Sequence, residues 1–390
     1  MYLRKRTFLF CYGVLILLNI SGMSLLSISA MAQPDSSFTW NKLPVKALLL
    51  SCPEPQDVPL LCQFIREALP KEGVNTLCLR IEYQYKFESH PELADVNALS
   101  KQQLQSIVAA CKEVHIRFIP TMNLLAHQSD RTNIGPLLKH YPQFDESPDY
   151  NPPVPWKDGG MFDFYSKSLC PLHPDLFKIL FPIMDELIDV CGADALHVGL
   201  DEVWILGYDK CPRCGGRDRA ELFAGYVNQL HDHLKQQHCE MWMWSDRLID
   251  GKTTNLLAWQ ASMNDTYRAI DLIPKDIMIC DWKYEDAPPT PAYFAIKGFN
   301  VLASSCSKPD VALAQLDQIR LARKNGTREA FSITLAERMK GVFSTMWFNT
   351  GDFIRGYYKA SDKKNVNDNV ATFKKLFAAI REDEQPIKTK

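Results

Sequence analysis

Eight short apolar runs punctuate the chain, and each is continuous rather than alternating. They are VKALLLS (45–51), VNTLCLRIE (74–82), HIRFIPTMN (115–123), DALHVGLDE (194–202), CEMWMWSD (239–246), DIMICDWKY (276–284), FNVLASS (299–305) and GVFSTMWFN (341–349). A strand with one wet face alternates polar and apolar residues. A run that stays apolar suits a parallel strand covered on both faces. Amphipathic segments lie between the runs. Leu104, Ile107, Val108 and Cys111 recur at helical spacing, and Ser100 with Gln103 reads as a capping box before them. Leu176, Leu180, Met184, Leu187 and Cys191 share another helical face, which Gly192 ends. A third stripe runs from Leu222 to Leu234, and a closing helix is expected over about 369–381. Eight strands with helices or loops between them predict an α/β fold, a single-domain (β/α)8 TIM barrel over residues 33–390. A doubly wound open sheet is the rival. It would usually place a glycine-rich turn after its first strand, and LLLSCPEPQDVP contains no glycine. Segment 145–168, rich in Pro, Gly and aromatics, is expected to be a long loop on the active-site face.

The first 32 residues read as a secretory signal. Arg4, Lys5 and Arg6 precede an apolar run, and Ala30-Met31-Ala32 has the small-x-small form of a cleavage site. The alternative is an uncleaved anchor. No later segment is apolar enough for long enough to span a bilayer, so the mature protein is expected to be exported, periplasmic or extracellular, without stable membrane insertion. Forty-four basic residues against 46 acidic ones leave a net charge of −2. Without a basic tract, nucleic acid is not an expected partner.

In a barrel of this kind the C-terminal strand ends build the active site. Polar and aromatic residues collect there. They are Arg80 on the second strand, Asn123 and His127 after the third, and His197, Asp201, Glu202 and Trp204 on and after the fourth. Trp244 and Asp246 follow on the fifth, Asp281, Trp282 and Tyr284 on the sixth, and Trp347 on the eighth. Carboxylates mixed with tryptophans suit a sugar. Pyranose C–H faces stack on aromatic rings, and hydroxyls pair with carboxylates. Cleaving a glycosidic bond needs an acid of raised pKa, and an adjacent carboxylate raises it by like-charge repulsion.

LHVGLDEVW (196–204) resembles the His-x-Gly-Gly-Asp-Glu signature of the family 20 glycoside hydrolases, the β-N-acetylhexosaminidases, with Leu200 in the place of the second glycine. FIPTMNLLAH (118–127) resembles the family's third-strand motif and keeps Pro120 and His127. MWSD (243–246) and TMWFN (345–349) resemble its tryptophan-bearing fifth and eighth strands. The resemblance implies an enzyme that removes N-acetylhexosamine from glycans, by a retaining route in which the substrate's own acetamido oxygen is the nucleophile. It implies Asp201 as the group that orients the acetamide and Glu202 as general acid and base. His127 and His197 would support them, and Trp244, Trp282 and Trp347 would line the pocket. No cofactor is implied. The chain departs from the family at Thr121 and Asn123, where the family has Glu and Asp. Its first strand carries no arginine, which leaves Arg80 as the candidate for binding sugar hydroxyls. Only about a dozen residues separate the signal from the first strand, so the family's usual N-terminal accessory domain is not expected. Two other readings remain: a glycan-binding barrel without catalysis, and a glycosidase for a different sugar.

Cys211-Pro-Arg-Cys214-Gly-Gly has the form of a zinc-knuckle turn. A structural zinc, a disulfide and free thiols are all compatible with it. Further ligands would come from Cys170, His231, His233, His238 or Cys239, although His231 and His233 lie two apart on a helix and cannot face one way. The other cysteines, Cys62, Cys78, Cys111, Cys191 and Cys280, sit on apolar faces and read as small buried hydrophobes.

Overall fold

The computed structural model describes residues 38–130, 133–150, 166–326 and 330–384. Contacts divide the chain into Met1–Ser36 and Ser37–Lys390. The expected signal, 1–32, lies outside the described residues, as does 151–165 of the expected long loop.

Eight parallel strands close into a barrel. They are β1 (Val45–Ser51), β2 (Thr76–Arg80), β3 (Arg117–Thr121), β4 (Ala195–His197), β5 (Glu240–Trp244), β6 (Met278–Trp282), β7 (Asn300–Ser305) and β8 (Met339–Thr345). Each pairs with its sequence neighbours, and β1 pairs with β8 to close the ring, with Val45 opposite Gly341. The continuous apolar runs are explained by burial on two sides. Ala47, Leu49, Trp242, Trp244, Met278 and Cys280 point into the barrel lumen. Their neighbours Leu48, Leu50, Met241, Met243, Ile277 and Ile279 point outward under the helices. All five cysteines expected as buried hydrophobes are buried.

The covering helices are α1 (Val58–Glu67), α2 (Lys101–Glu113), α3 (Leu176–Cys191), α4 (Arg219–Gln236), α5 (Thr290–Ile296), α6 (Pro309–Gly326), α7 (Ala330–Arg338), α8 (Thr350–Tyr358) and α9 (Lys364–Glu384). The Ser100–Gln103 capping box opens α2, and Gly192 ends α3 in the left-handed conformation that only glycine adopts at little cost. The β5–β6 connection departs from a regular barrel. In place of one long helix it has four-residue turns at Gly251–Thr254 and Leu257–Gln260 and a 3-10 segment at Thr266–Asp271. This irregular stretch frees Trp259 to reach the mouth of the barrel. At the opposite end α6 and α9 are tied to β1, β8 and the segment before β1. Arg323 donates to the carbonyls of Trp40, Lys42 and Met339, and Lys46 pairs with Glu384 at 2.6 Å.

Candidate active site

β4 is shorter than its apolar run predicts. It ends at His197, four residues before the carboxylate pair, and the chain then turns sharply. Gly199 has φ +71°, and a Cβ there would sit 2.7 Å from the Asn123 Cα. Only glycine fits that approach. Leu200 and Glu202 also hold positive φ, +70° and +51°. Such backbone persists only where surroundings over-determine it. Here they do. Val198 N donates to Trp242 O, Trp244 N donates to Gly199 O, and Leu124 N donates to Val198 O. Glu202 N donates to Asp246 Oδ2 at 2.9 Å, and Asn264 Nδ2 donates to the carbonyls of Val203 and Trp204.

This turn delivers Asp201 and Glu202 into a cavity of about 820 Å³ at the C-terminal end of the barrel. The His127 Nε2 lies 3.3 Å from Asp201 Oδ2 and 3.3 Å from Glu202 Oε2, between the two carboxyls. Asn123 fixes the other Asp201 oxygen. Its Oδ1 accepts from the amides of Leu125 and Ala126, so its Nδ2 must donate, and it does so to Asp201 Oδ1 at 2.7 Å. This asparagine is thus a permanent donor to the carboxylate.

The three ionisable groups titrate apart. Burial alone would depress the His127 imidazolium, but Asp201 and Glu202 outweigh it and raise its pKa well above the ordinary value. Burial would raise Asp201, and His127 more than reverses this, holding it below the usual carboxylate range. Glu202 goes the other way. Burial raises it, His127 opposes, and the nearby Asp201 and Asp246 charges help keep it up. One carboxyl is thus biased toward the anion and its neighbour toward the acid.

The walls are aromatic. Trp244, Trp282, Tyr284, Trp347 and Trp259 line the cavity with Arg80, Glu82, Tyr83 and Asp95. Trp347 Nε1 donates to Tyr284 Oη at 2.9 Å, and the Arg80 guanidinium lies over the Trp347 ring at 5.4 Å. Glu82 Oε2 accepts from Asn123 N at 3.0 Å, and burial raises its pKa.

The cavity therefore gathers Arg80, Asn123, His127, Asp201, Glu202, Trp244, Trp282, Tyr284 and Trp347 from the residues expected by sequence. Four others lie off it. Asp246 is fully buried beneath Glu202. It accepts from Glu202 N, from Arg247 Nε at 2.7 Å and from Trp282 Nε1 at 3.1 Å, so it positions the loop and one wall. Asp281 is buried among Ser245, Lys283 and Thr290, from which it accepts three hydrogen bonds. His197 is buried against Trp244, with ring centroids 4.4 Å apart. Burial pushes it down to about 3, and its Nδ1 accepts from Gly199 N, so it is a neutral brace for the turn. Trp204 packs under Arg247 and edge-on to Trp259. Trp259 was not signalled by any motif; only its position between two strands hinted at a loop. Cys211 and Cys214 lie outside the cavity, beside Cys170 and Glu146. His231 and His233 point elsewhere, to Asp276 and Asp185. No disulfide joins the described cysteines.

Residues 79–347 match the family described as glycosyl hydrolase family 20, catalytic domain. A beta-hexosaminidase of Akkermansia muciniphila is 30% identical over 125 residues, which cover 32% of this chain and 23% of that protein. Among solved structures, a beta-N-acetylhexosaminidase superposes with a TM-score of 0.59 at 15% identity, covering 88% of this chain and 76% of that one. The Flavobacterium johnsoniae chitobiase gives 0.56 at 16% identity, covering 88% and 52%. At such identities the likeness concerns the barrel alone. The chain spans about a quarter of the curated relative and about half of the chitobiase.

Proposed function

The chain belongs to glycosyl hydrolase family 20, and from that premise we propose that it is an exported glycoside hydrolase removing N-acetylhexosamine from glycans by a substrate-assisted, retaining mechanism. The observation that carries the reading is the adjacent pair Asp201 and Glu202 in an aromatic-walled cavity, each 3.3 Å from the His127 Nε2 that lies between them, an arrangement that favours the anion at one and the acid at the other. A substrate-assisted hydrolase needs an anion and an acid side by side, and no separate enzymatic nucleophile. Glu202 protonates the glycosidic oxygen as the acetamido oxygen attacks the anomeric carbon and the leaving group departs. The anionic Asp201 accepts the acetamido N–H and stabilises the positive charge that develops on the bicyclic intermediate. The Glu202 carboxylate then takes a proton from water as that water attacks the anomeric carbon. Two displacements restore the original configuration. Trp244, Trp282 and Trp347 supply stacking faces, and Arg80 and Asp95 offer polar contacts to hydroxyls. The basic start, apolar run and Ala30-Met31-Ala32 of the first 32 residues support export.

The test is a panel of aryl glycosides with and without the 2-acetamido group, assayed with wild type and Glu202→Gln in parallel. Turnover is expected only on acetamido sugars. Glu202→Gln should lower kcat on them by about 10²–10⁴-fold, the usual contribution of general acid–base catalysis. Equal turnover on sugars lacking the acetamide, or an unimpaired Glu202→Gln, contradicts the proposal.

A further inference from the structure

Three thiols and a carboxylate meet beside the catalytic loop. Glu146 and Cys170 come from the connection between β3 and β4, and Cys211 and Cys214 from the connection between β4 and β5. All four are buried, and one ligating atom from each lies within 4.8 Å of the others. The Cys170 sulfur is 3.6 Å from that of Cys211 and 3.4 Å from that of Cys214.

These spacings rule out a disulfide and suit both thiols in contact and zinc ligands. A disulfide brings two sulfurs to about 2.05 Å. Four ligands around zinc, with Zn–S bonds of about 2.3 Å, place tetrahedral neighbours about 3.8 Å apart. The observed separations are close to the second figure and far from the first. The supporting backbone is built for it. Glu146 N donates to Ser168 O and Cys170 N donates to Phe144 O, which sets Glu146 and Cys170 side by side. Gly215 N donates to Cys211 O, and a Cβ on Gly215 would come within 2.5 Å of Asp209 O, so the knuckle closes only around glycine. Glu146 adds an independent sign. It is fully buried; its Oε1 accepts from Tyr208 N at 3.0 Å, and its carboxylate otherwise meets the Cys214 thiol, with no cationic side chain paired to it among the described residues. A buried carboxylate without a cation beside it is strongly disfavoured, and a metal ion would supply that charge.

We propose that Glu146, Cys170, Cys211 and Cys214 form a structural zinc site that fastens the β3–β4 connection to the loop bearing Asp201 and Glu202. Thiolate-rich ligation selects zinc over magnesium or calcium, and four protein ligands leave no open position for catalysis. On binding, the three thiols release their protons to solvent. Three S–Zn bonds and one O–Zn bond form, with no change of oxidation state. The site would hold His127 and Asn123 in register with the carboxylate pair, because the two groups are borne by the two connections it joins.

The test is metal analysis of the full chain, purified without chelator, together with titration of the chelator-stripped chain with zinc chloride. About one zinc per chain is expected, with protection of three thiols from a thiol reagent until the metal is removed. Cys170→Ser and Cys214→Ser should lose that zinc, and Cys239→Ser, buried outside the cluster, should keep it. Wild type that carries no zinc and, after reduction, binds none from zinc chloride overturns the proposal whatever the variants do. So does a disulfide between any two of the three cysteines, read by mass spectrometry in the purified chain.

Discussion

Replacing His127 by glutamine removes a positive charge held 3.3 Å from each of two carboxyls and retains a hydrogen-bond donor. Coulomb's law at that distance, with an effective dielectric of about 20, gives about 5 kcal/mol per pair. That is an upper figure. The imidazole is 31% exposed, and solvent screens it. Carboxylates beside a cation shift by about 1–3 pKa units, so about 1–2 units is expected here. The sign follows from the roles. Asp201 must be ionised, so kcat/KM rises with pH through the lower apparent pKa. Glu202 must be protonated, so kcat/KM falls as pH passes the higher one. His127 stabilises both anions, and its loss raises both values. The whole bell should move to higher pH by about 1–2 units. The two carboxyls titrate as a pair, so the limbs report apparent values for the pair. The assay is the pH dependence of kcat/KM on an aryl N-acetylglucosaminide, with circular dichroism to show that the variant is folded. A folded variant whose limbs stay in place, or move to lower pH, refutes the electrostatic argument.

Leu200 is fully buried at φ +70°. Leu200→Gly relieves about 1–2 kcal/mol of backbone strain but removes a core side chain whose loss costs about 3–5 kcal/mol. Urea denaturation should show a net loss of about 1–4 kcal/mol by that difference; a more stable variant would mean the strain dominates. Asp246→Ala leaves the buried Arg247 Nε without its acceptor and unties Glu202 N and Trp282. Breaking a buried ion pair on one side costs about 3–5 kcal/mol, so the denaturation midpoint should fall sharply along with kcat. A change under about 1 kcal/mol would show that Asp246 is not the anchor described.

The barrel was legible because its strands are buried on two sides, which leaves an unbroken apolar signature. Every observed strand falls inside the run that announces it except β8, which starts two residues early and ends four before its run does; the β4 run overshoots its strand most, by five residues. That run overshoots because Val198 and Leu200 are apolar for a different reason: they brace a strained turn rather than extend a strand. The carboxylate pair was readable as a motif. What a motif does not carry is which side of a turn a residue faces. Asp246 opens a 3-10 turn after β5 that folds its carboxylate back under Glu202, and Asp281 is drawn down by Lys283 and Thr290. Glu146 could not be matched to the CxxC turn at all, since more than sixty residues and a strand lie between them.

The β1–β8 seam has a consequence in time. Val45 meets Gly341, a partner roughly 300 residues later in the chain. At synthesis rates of about 5–20 residues per second, the outer edge of β1 waits about 15–60 s for its partner to be made. Throughout that interval a strand with the apolar run Ala47–Leu50 presents one unpaired edge, the kind of surface on which nascent chains aggregate. Protease probing of ribosome-bound chains halted before residue 339 should find β1 open to cleavage, and chains released at full length should protect it; early protection would mean that the ring closes by another order. A chaperone that holds extended apolar segments therefore has its principal client in the first strand, although the fold is decided at the last.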